Sequence, residues 1–114
     1  MKTLTDKKLL GYCEVDSGQL LITDPCYLRK EWDNTTDNGN AEDVFNEKNR
    51  GKYSYAGCCI ATVGEDSGGQ LHFKEGNRGG AGVAISSGYG DGLCPVYAEY
   101  DKEGRVSKIT IETI

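Results

Sequence analysis

Asp24, Cys26 and Tyr27 in one run, and Tyr89 and Asp91 in another, are the side chains of this chain best placed to do chemistry. The runs, Val15 to Tyr27 and Ser87 to Tyr97, each join an apolar alternating stretch to Asp, Pro, Tyr and clustered Gly, so carboxylates and turns sit at strand ends. Asp24 precedes Pro25 and is therefore biased to extended backbone, which aims its carboxylate from the strand end. In a strand-like continuation Asp24 and Cys26 share a face and Tyr27 takes the other. A reactive thiolate needs a base or a positive neighbour, and the one histidine, His72, lies in the alternating run Gln70 to Phe73. The plainer reading makes Cys26 a small buried residue and His72 an exposed or edge-strand side chain.

Glycines cluster at Gly76 to Gly82 and at Gly88 to Gly92, where backbone amides can approach an acceptor closely. Neither cluster has a phosphate-loop spacing, and tight β turns explain both equally well. The side chains around them favour a small polar ligand: Arg78 can grip an anion, Tyr89 can stack on a ring, and Asp91 can accept from a sugar hydroxyl or a base edge. A zinc site is not expected, because no Cys-x-x-Cys occurs and one histidine cannot complete the usual ligand sets. Turn carboxylates at Asp16, Asp24 and Asp91 would suit a hard cation, but without an EF-hand spacing. No cofactor is expected.

The elements that must carry these residues are mostly strands. Leu9 to Val15, Gln19 to Thr23, Tyr53 to Val63, Gln70 to Phe73, Gly82 to Ser86, Pro95 to Tyr100 and Arg105 to Ile114 are short runs rich in β-branched and aromatic residues, separated by Gly, Asp, Ser or Asn. Asp16-Ser17-Gly18, Asp66 to Gly69 and Asp101 to Gly104 place Gly where hairpins want positive φ, the last most clearly. The Asp-Ser-Gly-Gln-Leu of 16–20 recurs with one extra Gly at 66–71, through either a duplicated hairpin or a shared turn recipe. The polar excursion 29–52 is the exception. Ala41, Val44 and Phe45 fall on one helical face, Asn40 can cap and Gly51 can stop, which predicts a short helix near 41–50 after a loop at 33–40. The predicted fold is all-β and mainly antiparallel, one domain over 1–114, a compact sandwich or partly open barrel of about seven short strands with one short helix in a long loop.

Composition narrows the partners. Eighteen acidic against 13 basic residues give a charge of −5, with the cations dispersed, which disfavours nucleic acid polymers and anionic membranes. No apolar stretch reaches the roughly 20 residues of a membrane span, and residues 1–10 lack a secretory pattern, so a cytoplasmic location is expected. Five cysteines without a framework predict free thiols.

The Asp16-Ser-Gly-x-Leu-x-Ile-x-Asp-Pro-Cys-Tyr27 and Gly88-Tyr-Gly-Asp-Gly-x-x-Pro-Val-Tyr97 elements, with the Glu103-Gly-Arg hairpin and terminal strand, resemble a group of small uncharacterised β-domain proteins of phages and bacteria. The resemblance covers both ends and not the middle, and Cys94 departs from the aromatic or polar residue expected before Pro95. It implies a compact β domain without an assigned activity. Some phage proteins of this size sequester or degrade host nucleotide signals, and by that analogy of context a role in handling a nucleotide signal is expected.

Three functions follow from these residues. The first is a non-enzymatic cytoplasmic domain binding a small polar ligand, possibly a nucleotide signal, between the 24–27 strand end and the 88–92 loop through Asp24, Tyr27, Arg78, Tyr89 and Asp91. The second is a hydrolytic enzyme using Asp24 and Asp91 as an acid–base or metal-holding pair. The third is an interaction module that uses an exposed strand edge or the 29–52 excursion to cover a host protein, for which an acidic surface and Trp32 would be apt.

Overall fold

A computed structural model describes residues 7–34, 44–75 and 78–113. They hold six strands, two short α-helices and a 3-10 turn, so the expected all-β, mainly antiparallel class stands with one strand fewer. The strands are β1 (Lys8–Val15), β2 (Gln19–Thr23), β3 (Gly68–His72), β4 (Gly79–Ser86), β5 (Gly92–Tyr100) and β6 (Val106–Ile111). The chain divides into two compact units: Met1–Gly18 with Ser87–Ile114, and Gln19–Ser86 between them in sequence.

The terminal unit is an antiparallel sheet of order β1-β5-β6. Its β5–β6 hairpin turns where expected: Gly104 has φ 83°, and the Asp101 carboxylate accepts from the amides of Glu103 and Arg105. Cys94 and Ala98, four positions apart and so on one face of β5, are fully buried, with Val96 between them half-buried.

The central unit is an antiparallel sheet of order β2-β4-β3. The repeated Asp-Ser-Gly recipe acquires a physical meaning in it. Each copy is a turn with one left-handed residue, Gly18 at φ 75° and Ser67 at φ 59°, and each feeds an edge strand that pairs with β4. Neither turn closes a hairpin, contrary to expectation, because β1 and β2 belong to different sheets and a helix precedes β3.

That helix corrects the sequence reading most. The segment expected to be a strand over Tyr53 to Val63 is α2 (Tyr55–Thr62). Its start is fixed by Ser54, which caps the helix by accepting from the Gly57 amide at 2.9 Å. Ala56, Gly57, Cys58, Cys59 and Ile60 are all buried, and a helix buried on every side reads as an unbroken apolar run, which periodicity alone cannot tell from a strand. Cys58 packs with Tyr53, Leu71, Phe73, Ala81 and Ala84, while Cys59 packs with Val44 and Ala56, so the paired cysteines join two core clusters.

A second, unexpected helix, α1 (Tyr27–Lys30), follows Pro25. Of the helix predicted near 41–50, residues 41–43 and the cap Asn40 lie outside the described residues; within the described part Val44 is helical and buried, and Glu47–Asn49 form a 3-10 turn whose Asn46 side chain accepts from the Lys48 amide. No helix among the described residues is long and apolar enough to cross a membrane. The five cysteines are free, Cys13 and Cys26 exposed and the other three buried.

Candidate functional site

Three short segments of the central unit come together through two isolated parallel bridges. Asp33 bridges to Ser54, and Lys52 bridges to His72, so 52–54 runs between the other two. The Asp33 amide donates to the Tyr53 carbonyl at 3.0 Å and the His72 amide to the Gly51 carbonyl at 2.8 Å.

Each segment pairs a core aromatic with charged or titratable neighbours. Trp32, Tyr53 and Phe73 join the core, where Trp32 meets Tyr53 edge-on at 5.1 Å between ring centres. Glu31, Asp33, Lys52, His72 and Lys74, with one side of Tyr53, line a hollow of about 200 Å³. The Glu31 carboxylate accepts from the Lys74 amide at 2.9 Å, which ties the two outer segments together at the rim.

Local geometry fixes the polar atoms. A bulge in the β3–β4 ladder between Leu71 and His72 re-aims the histidine at the strand end. Its Nδ1 lies 3.0 Å from the Phe73 carbonyl oxygen, which can only accept, so Nδ1 carries a proton and the neutral ring keeps its lone pair on Nε2. The ring rests on Gly51, whose φ of 81° and missing side chain make the room: a Cβ there would lie 2.9 Å from the His72 ring carbon Cδ2. Tyr53 is fixed by the same logic. Thr23 Oγ1 donates its one proton to the Ala81 carbonyl at 2.8 Å, so Tyr53 donates to Thr23 at 2.6 Å. Lys52 and Lys74 make no ion pair among the described residues, although two carboxylates share their hollow.

The five residues expected to form the site fall in both units. Asp24, Tyr27 and Arg78 are in the central unit, and Tyr89 and Asp91 in the terminal one. Tyr27 and Arg78 are brought together on one ring: Tyr27 meets Phe73 edge-on at 4.8 Å, and the Arg78 guanidinium lies 4.3 Å over the same ring. Tyr89 is 94% exposed, and Asp91 is exposed beside it. Their loop is braced from within the terminal unit by the Ser87 amide on the Gly18 carbonyl and the Ser87 hydroxyl on the Gly90 carbonyl. Trp32, the aromatic named for a partner-covering surface, is half-buried with its ring edge-on to Tyr53.

Asp24 builds a turn: its carboxylate accepts from the Cys26 amide at 3.0 Å, and its carbonyl accepts from the Tyr27 amide at 3.0 Å. Cys26, expected to be buried, is exposed there, because the chain turns into α1 after Pro25 instead of continuing as a strand. Partial desolvation, then the hydrogen bond and negative charge of Asp24, push the Cys26 thiol above its ordinary value. Less thiolate is then present at a given pH, so Asp24→Asn should speed alkylation of Cys26 by iodoacetamide at pH 8 several-fold, read by peptide mass spectrometry. An unchanged rate would remove Asp24 as a controlling neighbour.

The hollow's charged residues lie mostly in the stretch read as a surface excursion, and only His72 was singled out from the sequence. The readable signal was the pairing itself: Trp32-Asp33, Lys52-Tyr53 and His72-Phe73-Lys74 each set an aromatic beside a charged or titratable residue. No group of three or more metal-ligating side chains occurs among the described residues. Among curated proteins and among solved structures, none matches this chain. Residues 1–111 do match one family, described as Protein of unknown function (DUF4241), and the chain belongs to that family.

Proposed function

We propose that this protein is a non-enzymatic, cytoplasmic domain that binds a small polar ligand, and that the ligand sits in the hollow lined by Glu31, Asp33, Lys52, Tyr53, His72 and Lys74. The observation that carries the reading is convergence: three segments distant in sequence bring two carboxylates, two lysines and an oriented imidazole to one concave surface backed by aromatic core. Ligand sites combine a few placed polar groups with an apolar wall in this way. A volume of about 200 Å³ lies below the roughly 300–1,000 Å³ of pockets that enclose drug-sized molecules. A nucleotide would therefore protrude from it, while a molecule of a few heavy atoms would fill it. A phage-type sequestering role requires only that such binding be tight.

The test is a thermal-shift and calorimetric screen of small polar metabolites, nucleotides included, against the intact chain. A ligand at a hundred times its Kd should stabilise by about 2.7 kcal/mol. Lys74→Gln alters an exposed side chain and should leave the free protein's melting temperature unchanged while weakening the hit about tenfold. A screen without any stabilising molecule, or a hit indifferent to both Lys74→Gln and Lys52→Gln, overturns the proposal.

A further inference from the structure

We infer that Cys13 and Cys94 are an oxidation site, joined by hydrogen peroxide into a reversible disulfide that pins the edge strand β1 to β5. Both cysteines lie in the terminal unit, whereas the hollow belongs to the central one, so this site stands apart from the ligand reading.

Register carries the inference. In the β1–β5 ladder Cys13 is directly opposite Cys94, with Tyr12 opposite Pro95 and Glu14 opposite Leu93, and the irregularity in this ladder lies away from the pair, between Leu9 and Gly11. Directly opposite residues of an antiparallel pair send their side chains to the same face. The Glu112 amide, just past β6, donates to the Pro95 carbonyl, so Pro95 turns its polar groups toward β6 and the neighbouring Cys94 turns its own toward β1. Cys13 and Cys94 thus occupy a hydrogen-bonded position of the ladder. Opposite Cα atoms at such positions are about 5.5 Å apart, a common spacing in disulfides, while the Cβ atoms, at about 5.5 Å, are wider than the roughly 3.8 Å of a relaxed bridge. Closing the bond must therefore strain it, and a strained disulfide is readily reduced. The other three cysteines are in the central unit, with Cys58 and Cys59 buried in α2.

Exposure assigns the two roles. Cys13 is exposed and Cys94 is fully buried, so peroxide reaches Cys13 first. The Cys13 thiolate attacks one peroxide oxygen, the O–O bond breaks, and hydroxide leaves behind a sulfenic acid. The Cys94 thiolate then attacks that sulfur, the S–O bond breaks, and a second hydroxide leaves. Each hydroxide takes up one of the two thiol protons, so two thiols and one hydrogen peroxide become one disulfide and two waters. The consequence falls on β1, which is the edge strand of its sheet and pairs there with β5. A covalent tie at Cys13 stops that edge from peeling away.

The experiment treats the intact native chain with hydrogen peroxide, caps the remaining thiols with N-ethylmaleimide in denaturant, and maps an unreduced digest by mass spectrometry. Cleavage after Glu14 separates Cys13 from Cys26. A linked peptide pair carrying Cys13 and Cys94 should appear in the monomer, and excess reduced glutathione should remove it. Hydrogen exchange of the β1 amides should slow about tenfold in the oxidised protein. Cys13→Ser alters an exposed position, so the variant should fold as the parent does and lose the link and the protection together. A bridge from Cys13 to Cys26 or to a second chain, a Cys13 that ends as sulfinic acid, or a bond that glutathione does not reopen overturns the inference. So does β1 exchange that oxidation leaves unchanged.

Discussion

Gly57→Ala is expected to destabilise the protein by about 3 kcal/mol, read as a lower midpoint in urea with an unchanged slope. Taken alone, helix propensity predicts the opposite sign, since Ala is favoured over Gly inside a helix by about 1 kcal/mol. Position decides the matter. A Cβ on Gly57 would overlap the Lys52 carbonyl, 2.8 Å from its carbon and closer still to its oxygen. Backbone cannot rotate away as a flexible side chain can, so either α2 or the 52–54 segment must move. The same carbonyl accepts from the Ser54 amide at 3.0 Å, and Ser54 caps α2, so the clash falls where the helix start and the hollow's middle segment are joined. Loss of ligand binding should accompany the loss of stability. Gly69→Ala is the matched control, because its methyl would meet only the Ala61 side chain at 3.6 Å, an ordinary contact, and the change should stay within about 1 kcal/mol. Equal midpoints for the two variants would show that Gly57 does not lie against Lys52.

The contrast between Gly57 and Gly69 also marks how far a sequence can be read. Strand content and the Asp101–Gly104 hairpin were legible because their causes are local: turn chemistry and a period of two. Helix α2 was not, because its residues are apolar on every side, and the capping Ser54 was hidden inside what reads as a strand. The hollow was harder still. Glu31, Asp33, Lys52 and Lys74 look like any solvated surface charges, and what makes them a group is a pair of bridges between segments about 20 residues apart. Only tertiary pairing supplies that information. The expected site residues stand out by local chemistry, and their placement shows what that chemistry also does: the Asp24 carboxylate makes a turn, and Tyr27 and Arg78 pack on Phe73. Carboxylates and aromatics beside turns serve both folding and binding, and sequence does not separate the two uses.

Leu71→Ala should be the most damaging single truncation in the central unit, costing about 4 kcal/mol, near the upper end of the range for buried leucine. Leu71 is fully buried on β3, in the cluster with Tyr53, Cys58, Phe73, Ala81 and Ala84. How much such a deletion costs depends on how well the neighbours can collapse into the space, and these neighbours cannot. Ala81 and Ala84 have nothing to extend, and Leu71 pairs in register with Gly82. Tyr53 is held by its hydrogen bond to Thr23, and Phe73 is wedged between Tyr27 and Arg78. The cavity therefore stays open, and its volume adds to the lost transfer energy. Val83→Ala on the adjacent strand removes apolar atoms too, but Val83 is 40% exposed, so its cost should stay below about 1 kcal/mol. Because the whole stability of a chain this long is only some 5–15 kcal/mol, Leu71→Ala could leave too little folded protein to measure, and Leu71→Val then gives an intermediate point on the same line. Similar losses for Leu71→Ala and Val83→Ala would mean that the cluster is not the core of this unit. The aromatic wall behind the hollow would then have no rigid support, since Tyr53 and Phe73 hold their places by packing on Leu71 and its neighbours.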